Sequence, residues 1–168
     1  MELTFRYKQV LKKLFIMTFV LSFAMVTLSS TAFADTRSLY GYYDKTTDEG
    51  NAISTWFNST VNMNSWSNAT VNGSSSALAY GPYPDEIELS TKFQFTGFSL
   101  QIGAPSGVTV NQGDDSAIYK TKVINRRENV QNYHNISATG MVTGYKQSVS
   151  ASFKYGGIHY NLSAMDVY

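Results

Sequence analysis

The sequence predicts an all-β fold: a single small antiparallel β-sandwich or barrel of about seven to nine strands, after an N-terminal signal peptide. Three stretches support this prediction, because in each of them apolar and polar side chains alternate with the period of a half-buried strand. They are residues 57–71, 86–102 and 149–164. Beyond the first 34 residues, no segment shows the periodicity of an amphipathic helix.

The first 34 residues have the three-part pattern of a secretory signal peptide. Its basic start contains Arg6, Lys8, Lys12 and Lys13. A predominantly apolar stretch at residues 14–28 follows, and Ala32-Phe33-Ala34 supplies a cleavage motif that ends at Ala34. An uncleaved anchor is the alternative, but 15 residues fall short of the roughly 20 that cross a bilayer. We therefore expect a secreted protein, extracellular or attached to the cell wall, from a Gram-positive bacterium.

Cleavage leaves residues 35–168 as the predicted single β-domain. It removes four of the 13 basic residues and one of the 12 acidic residues, so the remaining 134 residues carry a charge near −2. This charge, with no basic cluster, argues against binding to nucleic acid or to anionic lipid. The absence of cysteine excludes disulfides, thiolate metal sites and cysteine catalysis, and favours a bacterial exoprotein held together by packing.

The first part of this domain is predicted to begin with a short strand at residues 39–43 and a polar loop at 44–51. Between residues 57 and 71 the apolar residues fall on odd positions and the asparagines on even ones. Because strands of this length are uncommon, Asn64–Asn68 is predicted to be the loop of a hairpin. A Gly/Ser connector at 72–76, a short strand at 78–80 and a turn at 81–84 are expected to follow.

Residues 86–102 form the longest predicted strand. Before Gly97 the apolar residues are odd, as in Phe93 and Phe95, and after it they are even, as in Phe98 and Leu100. One inserted residue shifts the phase of a strand in this way, and glycine is common at such bulges. We therefore expect a bent strand that contributes to two sheets, with these four side chains inside.

The rest of the chain is predicted from turn residues and from its content of β-branched residues. Turns are predicted at 104–107 and 113–115, with a strand at 108–110 between them. A strand at 117–124 is expected either to be covered on both faces or to lie at an edge of the sheet. A charged loop at 125–129 and a strand at 133–145, which Gly140 and Gly144 interrupt, complete this part.

The C-terminal stretch predicts a hairpin whose two-residue turn is Gly156-Gly157. In that register the apolar pairs are Tyr155–Ile158, Phe153–Tyr160, Ala151–Leu162 and Val149–Ala164. The opposite face pairs Lys154 with His159, Ser152 with Asn161 and Ser150 with Ser163. A shift by one residue would pair polar with apolar side chains throughout.

Catalytic motifs are absent from the sequence. His134 and His159 are interpreted as surface residues on solvated strands, because no serine elbow and no zinc spacing accompanies them. No catalytic residue, metal ligand or cofactor is therefore predicted. The alternative is calcium, at Asp114 and Asp115 or at Asp44 and Asp48, where carboxylates lie close together in predicted loops.

Aromatic and amide residues provide the candidate binding site. Trp56 and Trp66 fall on even positions among the asparagines, where exposed indole rings could stack on sugars while amides donate hydrogen bonds. The alternative is that each tryptophan packs under a loop. The predicted ligand-binding residues are Trp56, Trp66, Asn58, Asn62, Asn64, Tyr80 and Tyr83. The tyrosines at 40, 42, 43, 80 and 83 fit either an adhesive patch or the edge of the core.

Three functional hypotheses follow from these features. The leading one is a secreted, non-enzymatic β-domain that binds an extracellular partner, which is a wall or matrix glycan, a protein, or a second copy of itself. The alternative is a membrane-active effector whose hairpin at 149–164 joins a pore, although its arms of about eight residues are short for a bilayer. A small secreted hydrolase is the third.

Overall fold

The computed structural model describes residues 34–64, 67–124 and 129–168. The predicted signal peptide, apart from Ala34, lies outside these ranges and stays a prediction. Eight strands are present: β1 (Ala34–Thr46), β2 (Ala52–Asn64), β3 (Asn68–Tyr80), β4 (Glu86–Gly103), β5 (Val108–Asn111), β6 (Ser116–Ile124), β7 (Asn129–Tyr155) and β8 (Ile158–Val167). Within the described ranges the only helical residues form a short 3-10 turn, Gln112–Asp114. No helix there has the length and hydropathy of a membrane span.

All strand pairs are antiparallel, in the order β1-β2-β3-β7-β4-β6-β5, and β8 also pairs with β7. The predicted all-β, sandwich-like fold with seven to nine strands is therefore confirmed.

The 27-residue strand β7 connects the two halves of the sheet. Its first part, residues 129–139, pairs with β3, and its last part, residues 146–155, pairs with β8. Strand β4 follows the other edge of β7 along residues 137–154. The sheet therefore divides into a first layer of β1, β2, β3 and the start of β7, and a second layer of β8, the end of β7, β4, β6 and β5.

Side chains from the two layers meet in the core. The Phe93 ring of the second layer packs edge-on against the His134 ring of the first, with centroids 4.7 Å apart. The Thr121 hydroxyl donates a 2.6 Å hydrogen bond to the Asn132 side-chain oxygen, and the Ser75 and Thr91 hydroxyls also bond across the layers. Burial of the apolar faces against each other supplies the main stabilisation, since hydrophobic burial dominates folding.

Strand β4 has the predicted alternation and the predicted change of phase, but the change occurs after Phe98 and not at Gly97. The odd residues from Ile87 to Phe95 are buried. The pairing with β7 shifts at Thr96/Gly97, but the extra residue there is Thr143 of β7, so β4 does not change phase at Gly97. Phe98, however, is 70% exposed, so its predicted place in the core is wrong. Strand β4 gains its extra residue only between Phe98 and Gln101, where Ser99 adopts a left-handed φ of 54°. Phe98 therefore still belongs to the outward, even-numbered set of β4. The apolar set is fully buried again only at Ile102.

The C-terminal hairpin has the predicted register at every pair, from Tyr155–Ile158 to Val149–Ala164. Gly156 and Gly157 both have positive φ, 55° and 93°, which is the requirement of a type I′ turn. Phe153 is fully buried opposite Tyr160.

The predicted boundaries of three strands, β1, β3 and β7, are wrong. Residues 72–76 and 78–80 are not a connector and a separate strand but parts of β3, which pairs with β2 on one side and β7 on the other. The predicted strand at 133–145 belongs to the longer β7, and the predicted strand at 39–43 belongs to the 13-residue β1. Backbone pairing on both edges of β3 explains why its Gly/Ser-rich composition does not break it. Residues 125–128 of the predicted charged loop lie outside the described residues.

Candidate binding face

The outward side of the first layer is a face with almost no charge. We define this outer face as the even-numbered residues of β1, β2 and β3 and the odd-numbered residues of 129–139, which lie in register across the four strands. On β2, β3 and residues 129–139 the residues of opposite parity, such as Phe57, Val71 and Ile136, are mostly buried. On the edge strand β1 only Leu39 and Gly41 of that parity are buried. Among the residues of the outer face, Asp44 alone is charged. The rest are mainly Asn, Ser, Thr and Tyr, with one Trp.

A shallow depression of about 270 Å³ lies on this face, over β1 and β2. We call it the aromatic depression, and its lining residues are Tyr40, Tyr42, Ser54, Trp56, Asn58 and Tyr80. Tyr42 lies directly opposite Trp56, and Tyr40 directly opposite Asn58. The three tyrosines are about half exposed, whereas Ser54 is buried at the base. Aromatic rings therefore surround a small polar floor.

The turn between β1 and β2 sets the register of the depression. Gly50 donates its backbone N–H to the Thr47 carbonyl and has a φ of 82°, which glycine adopts without strain. The Thr47 hydroxyl accepts a hydrogen bond from the Asn51 N–H, and the Thr47 N–H donates to the Asn51 carbonyl. A slip of one residue here would place the rings of Tyr42 and Trp56 on opposite faces.

The Tyr42 hydroxyl in the depression is protonated at neutral pH. Desolvation raises the pKa of Tyr42 above its ordinary value of 10.0, and the negative charge of Asp44 raises it further, followed by smaller effects of Tyr80 and Tyr40. A neutral phenol can both donate and accept a hydrogen bond. The site therefore offers neutral donors, neutral acceptors and aromatic surfaces.

The structure brings together some of the predicted site residues and separates others. Trp56, Asn58 and Tyr80 all line the aromatic depression. Asn62 lies on the same face four residues further along β2, where its side-chain oxygen accepts a hydrogen bond from the Thr36 hydroxyl at 2.7 Å. Asn64 is exposed at the end of β2, and Tyr83 is exposed in the turn after β3. Trp66 lies outside the described residues.

Tyr40, Tyr42 and Ser54 also line the depression, although the predicted ligand-binding set does not include them. Their shared even numbering was a usable signal, because it assigns them to the face of Trp56 once β1 and β2 pair. Ser54 lies at the base of the depression because the neighbouring aromatic rings cover it. The residues around Ser54 in the sequence do not indicate this burial.

His134 is buried, with 5% of its surface exposed, so its interpretation as a surface residue is wrong. Its Nε2 lies 2.9 Å from the hydroxyl of Ser59, which is itself buried. Burial lowers the pKa of His134 from 6.5 to about 4, so the ring is neutral at neutral pH. A hydrolytic triad requires a carboxylate on the other ring nitrogen. Among the described residues Nδ1 of His134 has no hydrogen-bond partner. The Ser59–His134 contact joins β2 to β7 inside the core.

His159 lies on the polar face opposite Lys154, as predicted, and is exposed. Its Nδ1 is 3.2 Å from the Ser152 hydroxyl. No carboxylate takes part in this contact.

The carboxylates do not gather into a metal site in the described part of the chain, where no three His, Cys, Asp or Glu side chains come together as ligands. Asp114 ends the 3-10 turn and Asp115 follows it with a left-handed φ of 48°. Asp44 lies in β1 and Asp48 in the turn after it. Elsewhere Glu86 pairs with Lys122 at 2.7 Å, and this hydrogen bond lowers the pKa of Glu86.

The hairpin at 149–164, which the membrane-active hypothesis requires to leave the domain, is integrated into the core. Val149, Phe153 and Leu162 on its inner side are buried. Insertion into a bilayer would expose the core that these side chains fill.

No protein-family model and no curated protein sequence matches the chain. Among solved structures it is similar to the GAE domain of GGA2p from Saccharomyces cerevisiae, with a TM-score of 0.35 and 8% sequence identity. The similarity covers 76% of this chain and 96% of that domain. At this TM-score and identity the similarity supports no conclusion about function.

Proposed function

We propose that the protein is a secreted, non-enzymatic binding domain that holds a neutral glycan of the cell wall or matrix in the aromatic depression. The observation that carries this proposal is the position of Trp56 and Tyr42 side by side, next to the Asn58 amide, on a face whose only charged residue is Asp44.

The lining has the chemistry that sugar rings require. A pyranose ring presents apolar C–H groups on its faces and hydroxyls around its edge, so an aromatic platform with nearby amides and hydroxyls can satisfy both. Trp56, Tyr42 and Tyr80 supply the platforms, while Asn58 and Ser54 supply polar groups. All of them lie on or at the end of paired strands, so little conformational entropy is lost when a ligand binds.

The charge of the face favours a neutral ligand. An anionic polymer would require Lys or Arg in the site, and the outer face has neither, while Asp44 near Tyr42 would repel it. The lysines that face solvent from the second layer, among them Lys92 and Lys146, lie on the other side of the sandwich.

A glycan fits this surface better than a protein partner does. A stable protein interface buries about 800 Å² on each side around an apolar centre. The aromatic depression is small, and polar side chains surround it on the outer face. Access to such a glycan depends on the export that the N-terminal leader predicts. The mass of the exported protein tests this step, because cleavage after Ala34 leaves Asp35 as the first residue.

A retention assay on insoluble neutral polysaccharides and purified cell walls tests the proposal. The protein is compared with Tyr42→Ala and with the matched control Tyr43→Ala. The two tyrosines are 51% and 48% exposed and adjacent in β1, but they point to opposite sides of the strand. We expect retention of the wild type and of Tyr43→Ala, and loss of retention for Tyr42→Ala and Trp56→Ala. Equal retention of all four proteins would contradict the proposal.

A further inference from the structure

We infer that the outer face holds a second sugar-binding position beside the aromatic depression, so that the ligand is an oligosaccharide chain lying across the strands. This inference rests on the proposed function and extends it to a glycan of more than one ring. The second position is formed by Asn58, Thr60, Asn72, Ser74 and Tyr133, four of which belong to neither the predicted site nor the aromatic depression.

A second depression, of about 360 Å³, gives the position its shape. It lies over β2, β3 and the start of β7, whereas the aromatic depression lies over β1 and β2. Asn58 lines both of them, so the two are directly adjacent. A ligand chain can therefore pass from one to the other without leaving the surface.

The strand register aligns the two depressions. Tyr40 lies opposite Asn58, Asn58 opposite Ser74, and Ser74 opposite Tyr133. This single row crosses four strands, with an aromatic ring at each end and polar side chains between. Three strand spacings separate the ends, which places the Cα atoms of Tyr40 and Tyr133 about 14 Å apart. One sugar ring cannot contact both tyrosines, but a short chain of rings can.

Tyr133 projects from the outer face into solvent. It is 74% exposed, the most exposed of the large apolar and aromatic residues in the described part of the chain. A single exposed aromatic residue is ordinary on a protein surface. Tyr133, however, ends a row that begins with another exposed tyrosine, and it borders a depression. That combination is what a stacking platform for a terminal sugar ring requires.

The polar side chains of the second depression are available to a ligand. Within the described residues, the side chains of Asn58, Thr60, Asn72 and Ser74 make no hydrogen bond to other protein atoms, unlike Asn62, which bonds to Thr36. The amides and hydroxyls can therefore exchange water for sugar hydroxyls without breaking a side-chain hydrogen bond to another described residue.

Calorimetric titration with neutral oligosaccharides of two lengths tests this inference. The probes are the disaccharides and hexasaccharides of β-1,4-linked glucose and of β-1,4-linked N-acetylglucosamine. We expect one of the two hexasaccharides to bind about tenfold more tightly than its disaccharide, because an added stacking contact contributes about 1 kcal/mol or slightly more. Tyr133→Ala should remove this gain and leave the affinity for the disaccharide unchanged.

Two variants separate failure of this inference from failure of the proposed function. Tyr42→Ala should weaken binding of both lengths, and Tyr43→Ala, which removes an exposed tyrosine outside both depressions, should weaken neither. If Tyr42→Ala weakens binding but Tyr133→Ala does not affect the hexasaccharide, the second position is refuted and the proposed function stands. If the protein binds neither series, both are refuted.

Discussion

Gly73→Ala should destabilise the protein strongly, although Gly73 lies in the middle of a strand where alanine is usually acceptable. Gly73 sits between Ser59 on β2 and His134 on β7, and the Ser59–His134 hydrogen bond passes over it. A Cβ atom at Gly73 would lie 2.2 Å from the carbonyl oxygen of Asn58 and 2.7 Å from both the Cα and the hydroxyl oxygen of Ser59. Two of these three atoms belong to the backbone, so the strands would have to separate.

The size of the effect follows from two costs and one gain. Displacing the Ser59 hydroxyl leaves His134 without its hydrogen bond in the core, which costs about 1–3 kcal/mol. Forcing a methyl group into packed backbone costs about 1–3 kcal/mol more. The reduced flexibility of the unfolded chain returns about 0.4–1 kcal/mol. At the midpoints of these ranges the free energy of unfolding falls by about 3 kcal/mol, which is a large share of the stability of a small domain.

Urea unfolding measures this difference as a lower midpoint concentration, by about 1–2 M for a slope typical of this size. Gly113→Ala is the matched control, because a Cβ there meets no atom within 4 Å and its φ is not positive. We expect the control to unfold at the wild-type midpoint or slightly above it. A Gly73→Ala variant within about 0.5 kcal/mol of the wild type would refute the close approach of β2 to Gly73.

Two further predictions concern the core. The burial of His134 lowers its pKa from 6.5 to about 4, so the unfolded chain takes up a proton that the folded protein does not as the pH falls from 6.5. Stability should decrease by about 3 kcal/mol between pH 6.5 and pH 4 through this residue alone, and should show no such contribution above pH 7. Unfolding curves of His134→Gln across the same range should have a shallower slope, and an unchanged slope would show that His134 is not buried. Phe93→Ala should cost about 3–5 kcal/mol of unfolding free energy because Phe93 is fully buried, whereas Phe98→Ala should cost less than about 0.5 kcal/mol. Equal losses for these two variants would contradict the outward position of Phe98.

The parts of the fold that follow from alternation could be predicted from the sequence. In the observed register of β7 with β8, apolar side chains pair with apolar ones and polar with polar throughout residues 149–164. A slip of one residue would pair polar with apolar side chains at every position of this hairpin, so the sequence determines the register. The change of phase in β4 is visible for the same reason, although the sequence suggests Gly97 and the structure has it between Phe98 and Gln101. The continuity of β3 is not visible locally, because Gly73 and Ser75 resemble loop residues. In the structure both belong to a strand. Gly73 leaves room for the close approach of β2, and the Ser75 hydroxyl bonds to the Thr91 hydroxyl of β4.

The candidate site could be predicted only in part. The parity of Trp56 and Asn58 assigns them to an outward face, and Tyr80 shares that parity. Their convergence with Tyr40 and Tyr42 depends on the turn at 47–51, which brings β1 beside β2. The burial of His134 depends on strand β7, which runs from one layer into the other without a break. Gly140 and Gly144 suggest in the sequence that the strand is interrupted there, whereas in the structure it continues.

The fluorescence of Trp56 is the most direct test of the central claim, that the aromatic depression binds a neutral glycan. The chain has two tryptophans, so a Trp66→Phe variant leaves Trp56 as the only indole. We predict a saturable change in its emission on titration with the hexasaccharide that the protein binds, with a midpoint equal to the calorimetric dissociation constant. Binding of the hexasaccharide with no change in the emission of Trp56 would contradict the claim, because the ligand would then lie elsewhere.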